Sequence, residues 1–449
     1  MRHPQSTDKE NAAKHQSSSD ALREQLTDTE AAYSRFVPRK FLHLLGIDDI
    51  RKVELGQQVE RKMTILFSDI RDFTALSETM SPQENFNFLN SYLVQMEPVI
   101  TAHGGIIDKY IGDAIMALFP DSPDAALRGS LAMLEKLEEY NTGRERAGYR
   151  PIKIGIGINT GIVILGTVGG AGRMDGTVIG DAVNLAARLE RLTKDYKVPL
   201  LISEYTLYSL DDATPWSIRF LDRTHVRGKQ DNQSVYEVYN ADAPALRAAK
   251  KRTLKTFEQA LSRYLMDDIP GARERLSVCL AEAPDDDAAR VYLERCAESA
   301  SGVLHQPAEL TAGWREEYGL GVDVVDVAHQ NLLADMNALT RAVHVGAWNL
   351  TPPLLAQIQF AAAHDFMIEE QLMESRDYPF LELHARQHQR FFEYFGDLRA
   401  EIESGDEDSV YLAFRVKRLL TDWLVNHILN ADRHFGHFLR TRHGNTAHY

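Results

Sequence analysis

Between positions 152 and 169 the chain reads IKIGIGINTGIVILGTVG, an isoleucine at almost every second place with Lys, Gly or Asn between. A period of two sends alternate side chains to opposite sides of an extended backbone, so this stretch predicts a strand. Its glycines superficially resemble a dinucleotide-binding loop, but such a loop opens directly into a helix, and none follows here. A strand of this kind commits the chain to a sheet whose apolar side must be covered. The surrounding segments supply the cover. KMTILFSDI reads as a strand and SPQENFNFLNSYLVQMEPVITAH as a long helix. GIIDKYIGDAIMALF reads as two strands joined by a tight turn at Gly112 and Asp113, and DAALRGSLAMLEKLEEYN as a second helix. The expectation is an α+β domain over 62–240, an antiparallel sheet with helices on one face.

At 449 residues the chain is too long for one ordinary core, and two or three are expected. Residues 1–33 are polar and read as a mobile tail. Within 34–61, Phe41, Leu44 and Leu45 recur at helical spacing, an amphipathic element that must pack on the next domain or on a second copy. Residues 241–300 form two or three helices, with Phe257, Ala260, Leu261, Tyr264, Ala272, Leu276 and Leu280 turned inward in a tetratricopeptide-like pattern. Residues 301–310 read as a linker, and 311–449 as a histidine-rich helical domain. The net charge of −15 argues against nucleic acid or an anionic membrane as partner. Cys279 and Cys296 are too few for a disulfide framework and lack zinc-site companions. No secretory or membrane-spanning stretch is seen, and a cytoplasmic location is expected.

Asp69 ends the strand ILFSD and Asp113 sits in the turn IGDA. Carboxylates at neighbouring strand ends can hold Mg²⁺ or Mn²⁺ against phosphate oxygens, although Asp is also a common turn residue. The segments FSDIRDFTALSE, GGIIDKYIGDAIMALF and TVIGDAVNLAARLE, in this order, resemble the class III nucleotidyl cyclases. The resemblance implies a ferredoxin-like cyclase fold in which Asp69, Asp113 and the carbonyl of Ile70 bind two metal ions at each catalytic site. It places Lys109 and Thr177 at the purine, Asn184 and Arg188 at the ribose and the developing phosphoryl charge, and Lys229 at the terminal phosphates. Lysine only donates, and adenine N1 accepts where guanine N1 carries a hydrogen, so Lys109 selects ATP. Guanylyl enzymes tend to carry Glu and Cys at the positions of Lys109 and Thr177. The family builds its pocket between two domains; one chain with both halves of the set implies a homodimer.

In HDFMIEEQLM, 364–373, Asp365 and Glu369 share a helical face with Leu372 and Met373, an expensive place for carboxylates unless they are paired or metal-bound. LELHARQHQRF sets His384 and His388 one turn apart, WLVNHILNAD carries His427 and Asp432, and VDVAHQNLL supplies His329. Four helices each offering such residues suit a di-iron bundle. With Trp314, EYGLGVDVVDVAHQNLL, EEQLM and YPFLELHARQH, the segment 311–440 resembles bacterial hemerythrin domains. The resemblance implies His384, His388 and His427 on one iron, His329 on the other, and Glu369 and Asp432 bridging. It also exposes a departure: the family's remaining histidine falls at Asp365, with His364 one place earlier. Asp365 is favoured as the replacement, because His364 is i,i+5 from Glu369 and turns roughly 100° from position 365 on a regular helix. A harder oxygen ligand should favour ferric iron over reversible oxygen carriage. The combined expectation is an adenylate cyclase governed by an O₂ or redox signal at the bundle; the alternatives are a guanylate cyclase, or an iron- or oxygen-binding protein on a non-catalytic cyclase-like scaffold.

Overall fold

The computed structural model describes residues 23, 25–29, 32, 39–170, 172–225, 232–300, 309–405 and 407–444. Most of the expected tail, residues 301–308 of the expected linker and Lys229 lie outside the described residues. A short helix, α1 (Arg39–Leu44), leads into β1 (Gln58–Ile70). The helices α2 (Phe73–Ser77) and α3 (Pro82–Ala102) follow, then the hairpin β2 (Ile106–Ile111) and β3 (Ala114–Phe119), and α4 (Pro123–Arg146). Next come β4 (Ile154–Gly170), β5 (Arg173–Ile179), α5 (Asp181–Asp195), β6 (Leu200–Ser203), α6 (Glu204–Ser209), β7 (Ile218–His225) and β8 (Asn232–Val238). Helix α3 opens on a capping box between Ser81 and Glu84, with Pro82 in its first turn, where its missing N–H costs nothing.

The sheet runs β2-β3-β1-β4-β6-β8-β7, with β5 paired to β4 beside β6. The alternating run is indeed β4, and it pairs with all of β1, from Gln58 opposite Gly166 to Ile70 opposite Ile154. Two expectations need correction. The sheet is mixed, since β6 joins β4 in parallel. Helices also cover both faces. Leu66, Ile115, Ala117 and Phe119 face α3 and α4, whereas α5 lies across the other side, on the face that β4 offers through Gly155, Gly157 and Gly161. A Cβ at Gly157 would stand 2.1 Å from the Glu190 backbone nitrogen, and one at Gly161 2.8 Å from the Ala182 Cβ. The glycines of the alternating run therefore seat a helix. The same face holds Met63, Ile65, Phe67, Met116, Leu118, Val163 and Leu165, covered by Phe41 of α1. Burying that phenyl ring contributes about 2 kcal/mol.

Helix α7 (Pro244–Leu265) packs on β7, α8 (Ile269–Glu282) packs on α7, and α9 (Asp287–Ala300) packs on α8 and reaches β7 through Tyr292, whose hydroxyl donates to the Leu221 carbonyl at 2.8 Å. Arg219, without solvent exposure, holds Glu237 on β8 and both oxygens of Asp286 at 2.7 Å, while Lys250 Nζ lies 2.8 Å from Glu237. This network answers each buried charge with an opposite one, and loss of one member would cost several kcal/mol. Cys279 and Cys296 are buried, free thiols of α8 and α9.

The C-terminal bundle comprises α10 (Asp323–His344), α11 (Thr351–Ser375), α12 (Leu381–Ser404) and a final helical run. That run consists of α13 (Ser409–Val416), α14 (Trp423–His427) and α15 (Arg433–Gly444), joined by π-helical turns at Lys417–Asp422 and Ile428–Asp432. The bundle packs directly on the sheet domain. Asn426 Nδ2 donates to Glu204, Gln233 Nε2 donates to Asn426 Oδ1 at 2.8 Å, and Arg223 pairs with Asp422 at 2.9 Å. Arg390 Nη2 donates to the carbonyls of Leu210 and Asp211 at 2.6 and 2.8 Å. No described helix is long and apolar enough to cross a membrane.

Candidate functional site

Strand β1 delivers Asp69 on the glycine-and-α5 face, and the β2–β3 turn brings Asp113 beside it. Gly112 takes φ 65°, a conformation open to glycine that lets the turn close. The Ile70 N–H donates to Asp113 Oδ2 at 3.2 Å. Burial, reinforced by the neighbouring Asp69 carboxyl, pushes Asp113 up to about 7. Asp69 Oδ1 is buried without a hydrogen-bond partner. Two close carboxyls, one with an orphaned oxygen, form an oxygen-only donor set that suits a hard divalent cation.

Lys109 and Thr177 come from different strands and meet, Lys109 Nζ donating to Thr177 Oγ1 at 3.3 Å. Asp108 was not singled out from sequence, yet it lies 3.2 Å from the same ammonium. A bulge between Ile107 and Lys109 breaks the alternation that would otherwise send adjacent side chains to opposite faces. Asn184 and Arg188 sit one turn apart on α5 and make no hydrogen bond or ion pair with any described residue. Asn184 is exposed and Arg188 half-buried. Among the described residues no hydrogen bond or ion pair joins either of them to Asp69 or Asp113.

In the bundle the donors converge. His388 Nε2 lies 3.0 Å from His427 Nε2, which lies 3.1 Å from His384 Nε2. Glu369 reaches this trio through Oε2, at 3.4 Å from His384 and 3.2 Å from His388, and turns Oε1 to His329 Nε2 at 2.6 Å. Asp432 divides in the same way, Oδ1 at 3.2 Å from both His384 and His427, Oδ2 at 3.7 Å from His329. Asp365 Oδ2 is 3.5 Å from His329. All seven residues are buried. Burial pushes Asp365 up to about 8, with Glu369 and Asp432 adding to the effect and His329 opposing it. Both nitrogens of His329 and both oxygens of Asp365 and Asp432 are buried with no hydrogen bond, an arrangement that is costly without an occupant. The distal nitrogens are held from outside, His388 Nδ1 at 2.7 Å from Glu370 and His427 Nδ1 at 3.0 Å from Gln387, as metal-ligating imidazoles usually are.

Helix geometry separates Asp365 from its neighbour. On regular α11, Asp365 and Glu369 share a face, whereas His364 is exposed and lies against Phe360. His427 and Asp432 are five apart as well, but the intervening backbone is the π turn Ile428–Asp432, whose wider winding brings i and i+5 together.

Residues 55–240 match the adenylate and guanylate cyclase catalytic domain, and residues 320–439 match the hemerythrin HHE cation-binding domain. The chain carries a nucleotidyl cyclase domain and a hemerythrin domain. An adenylate cyclase of Anabaena cylindrica is 46% identical over 219 residues, 47% of this chain and 44% of that protein. A terminal-differentiation-specific adenylate cyclase of Dictyostelium discoideum is 34% identical over 313 residues, 68% of this chain and 15% of that protein. The chain thus spans less than half the length of these curated relatives. A bacterial light-regulated adenylyl cyclase structure is 30% identical with a TM-score of 0.43, covering 50% of this chain and 65% of that one. The hemerythrin domain implies a di-iron centre, and the donor set fits one.

Proposed function

We propose that the protein is an adenylate cyclase acting as a homodimer: the ribose 3′-oxygen of ATP attacks the α-phosphorus, pyrophosphate leaves, and 3′,5′-cyclic AMP forms. The observation that carries this reading is the meeting of Lys109 with Thr177. The lysine ammonium donates to adenine N1, and the Thr177 hydroxyl accepts from the 6-amino group. Guanine would set N1–H against the ammonium, and leaving buried polar groups unpaired rejects a wrong base by large factors. Asp108 holds the ammonium in place. Asn184 of one protomer orients the ribose, and Arg188 offers a planar cation to charge developing on the phosphate as the oxygen attacks. Asp69 and Asp113 of the other protomer, with the Ile70 carbonyl, would hold two Mg²⁺ or Mn²⁺, which lower the pKa of the 3′-hydroxyl and neutralise the triphosphate. Lys229 is proposed at the terminal phosphates.

In the bundle, His329, Asp365, Glu369, His384, His388, His427 and Asp432 would hold two irons, supplying a centre that responds to O₂ or redox state. Regulation is supported by direct contact. Asn426 and Asn430 flank His427 and reach Glu204 and Tyr205 of α6. Thr206 of the same helix is bonded to Thr160 at 3.2 Å, and Asn159 Nδ2 donates to the Ala182 carbonyl of α5 at 2.9 Å. A change at the iron ligands is therefore mechanically connected to the helix bearing Asn184 and Arg188.

The test is turnover of ATP and of GTP with Mg²⁺ or Mn²⁺, in oxidised, reduced and iron-free protein. Cyclic AMP formed from ATP alone, at rates that change with iron state, is expected. No cyclic nucleotide in any state would leave only the scaffold reading, and equal rates in all three would remove the regulatory one.

A further inference from the structure

Between the two domains lies a cavity of about 550 Å³, within the usual range for small-molecule sites. It opens where the sheet splits, because β4 pairs with β5 only from Ile164 onward and with β6 only as far as Ile158. Its walls are mostly apolar, with Tyr205, Tyr208, Tyr378, Phe380, Leu383 and Leu429 among them. A smaller, more polar cavity of about 300 Å³ adjoins it, and Lys62, Tyr208, Ser209, Leu383 and Gln387 line both, forming a neck.

The charges at the far end of the large cavity are answered. His434 lies 3.2 Å from Glu60. Arg433 donates to the Glu317 carbonyl at 2.7 Å and Arg440 to the Leu320 carbonyl at 3.3 Å. At the neck they are not. The Lys62 ammonium makes no hydrogen bond or ion pair with any described residue, nor does the Arg386 guanidinium of the smaller cavity. Desolvation, with Arg386 adding to it and Asp211 offsetting it in part without pairing, lowers Lys62 to about 8. A partly desolvated amine facing a second cation is an unfavourable arrangement that an anion would relieve.

We propose that the joined cavities bind an amphipathic anion, a carboxylate or similar headgroup at Lys62 and Arg386 with an apolar body in the larger room. The walls also include Gly180, Asp181 and Ala182, where α5 begins, and His384 and Asn430 of the bundle. An occupant therefore touches the catalytic helix and the iron-bearing helices together. Its effect on turnover rests on the cyclase reading, whereas its binding does not.

Calorimetry on the full chain with octanoate, octanol and octylamine tests the site without measuring activity. Octanoate should bind saturably, one per chain and at least about tenfold tighter than the other two, a difference that one charge-assisted contact supplies. Lys62→Met, similar in volume, should remove that preference while melting no lower than the native protein. Arg386→Gln, at an exposed position, should weaken octanoate severalfold and leave octanol unchanged, and it carries the test if Lys62→Met does not fold. No saturable octanoate binding, equal binding of octanol, or undiminished preference in the variants would each overturn the proposal.

Discussion

The two domains treat their functional residues in opposite ways. In the hemerythrin domain one chain gathers seven donors within a buried cage, with Glu369 and Asp432 already divided between two groups of nitrogens. In the cyclase domain the same chain holds Asp69 and Asp113 in one place and, in another, Asn184 and Arg188 without a hydrogen bond or ion pair to any described residue. A closed cage can be loaded by a single chain; the divided cleft of the proposed function would need a second copy. On that proposal the first expresses its chemistry through burial, and the second through assembly.

The largest expected effect breaks the divided site. Asp69→Ala and Arg188→Ala should each lower cyclic AMP formation by about a hundredfold or more. Mixing the two inactive proteins should restore up to about a quarter of native turnover, since a mixed dimer keeps one intact cleft. A mixture that stays inactive although mixed dimers form would show the cleft to be complete within one chain.

The closed site should behave differently. Glu369→Ala removes a carboxylate that touches both nitrogen groups, so both irons should be lost together, from two to nearly none per chain by metal analysis. His364→Ala, at an exposed position, should leave iron content unchanged. Asp365→His should keep iron while altering the absorption spectrum of the bound centre, because it exchanges a hard oxygen donor for imidazole.

Base choice should follow one protomer alone. Lys109→Glu combined with Thr177→Cys should shift the ratio of ATP to GTP turnover toward GTP by about tenfold or more, read in parallel assays. A ratio that does not move would detach the pair from the purine.

The smallest effect concerns the seam between the domains. Glu204 is buried against Asn426, and burial, with Asp422 adding to it, raises its carboxyl to about 8. A carboxyl raised on folding binds a proton that the unfolded chain has released, so its contribution is complete below about 4.5 and disappears as pH rises through about 8. Melting temperature should fall by a few degrees between pH 6 and pH 9, and Glu204→Gln should flatten that slope.

Much of this was legible in the sequence, for identifiable reasons. The period-two run announced β4, and motif order pointed to the cyclase residues. The i,i+4 spacings of His384 with His388 and Asp365 with Glu369 announced the cage, because helical periodicity is local. The position of α5 was hidden, since glycine in a strand signals a close approach but not what approaches. The parallel β6 was hidden too, being only four residues long. Asp108 escaped because its role depends on a bulge. The seam and its cavity depend on pairs such as Gln233 with Asn426 and Arg390 with the Leu210 carbonyl, nearly two hundred positions apart, which no periodicity reports.

The π turn at Ile428–Asp432 has a further consequence. A wide turn of this kind equals one extra residue slipped into an ordinary helix, so rewinding these residues as regular α-helix with none removed would swing everything beyond them through about a quarter turn. The Asp432 carboxylate would then leave the face of His427, while Tyr378 and Glu60 would lose their bonds to His434. Loss of this one wide turn would thus detune the metal cage and loosen the grip between domains at the same stroke, a double injury that substitution at either place could inflict only in part.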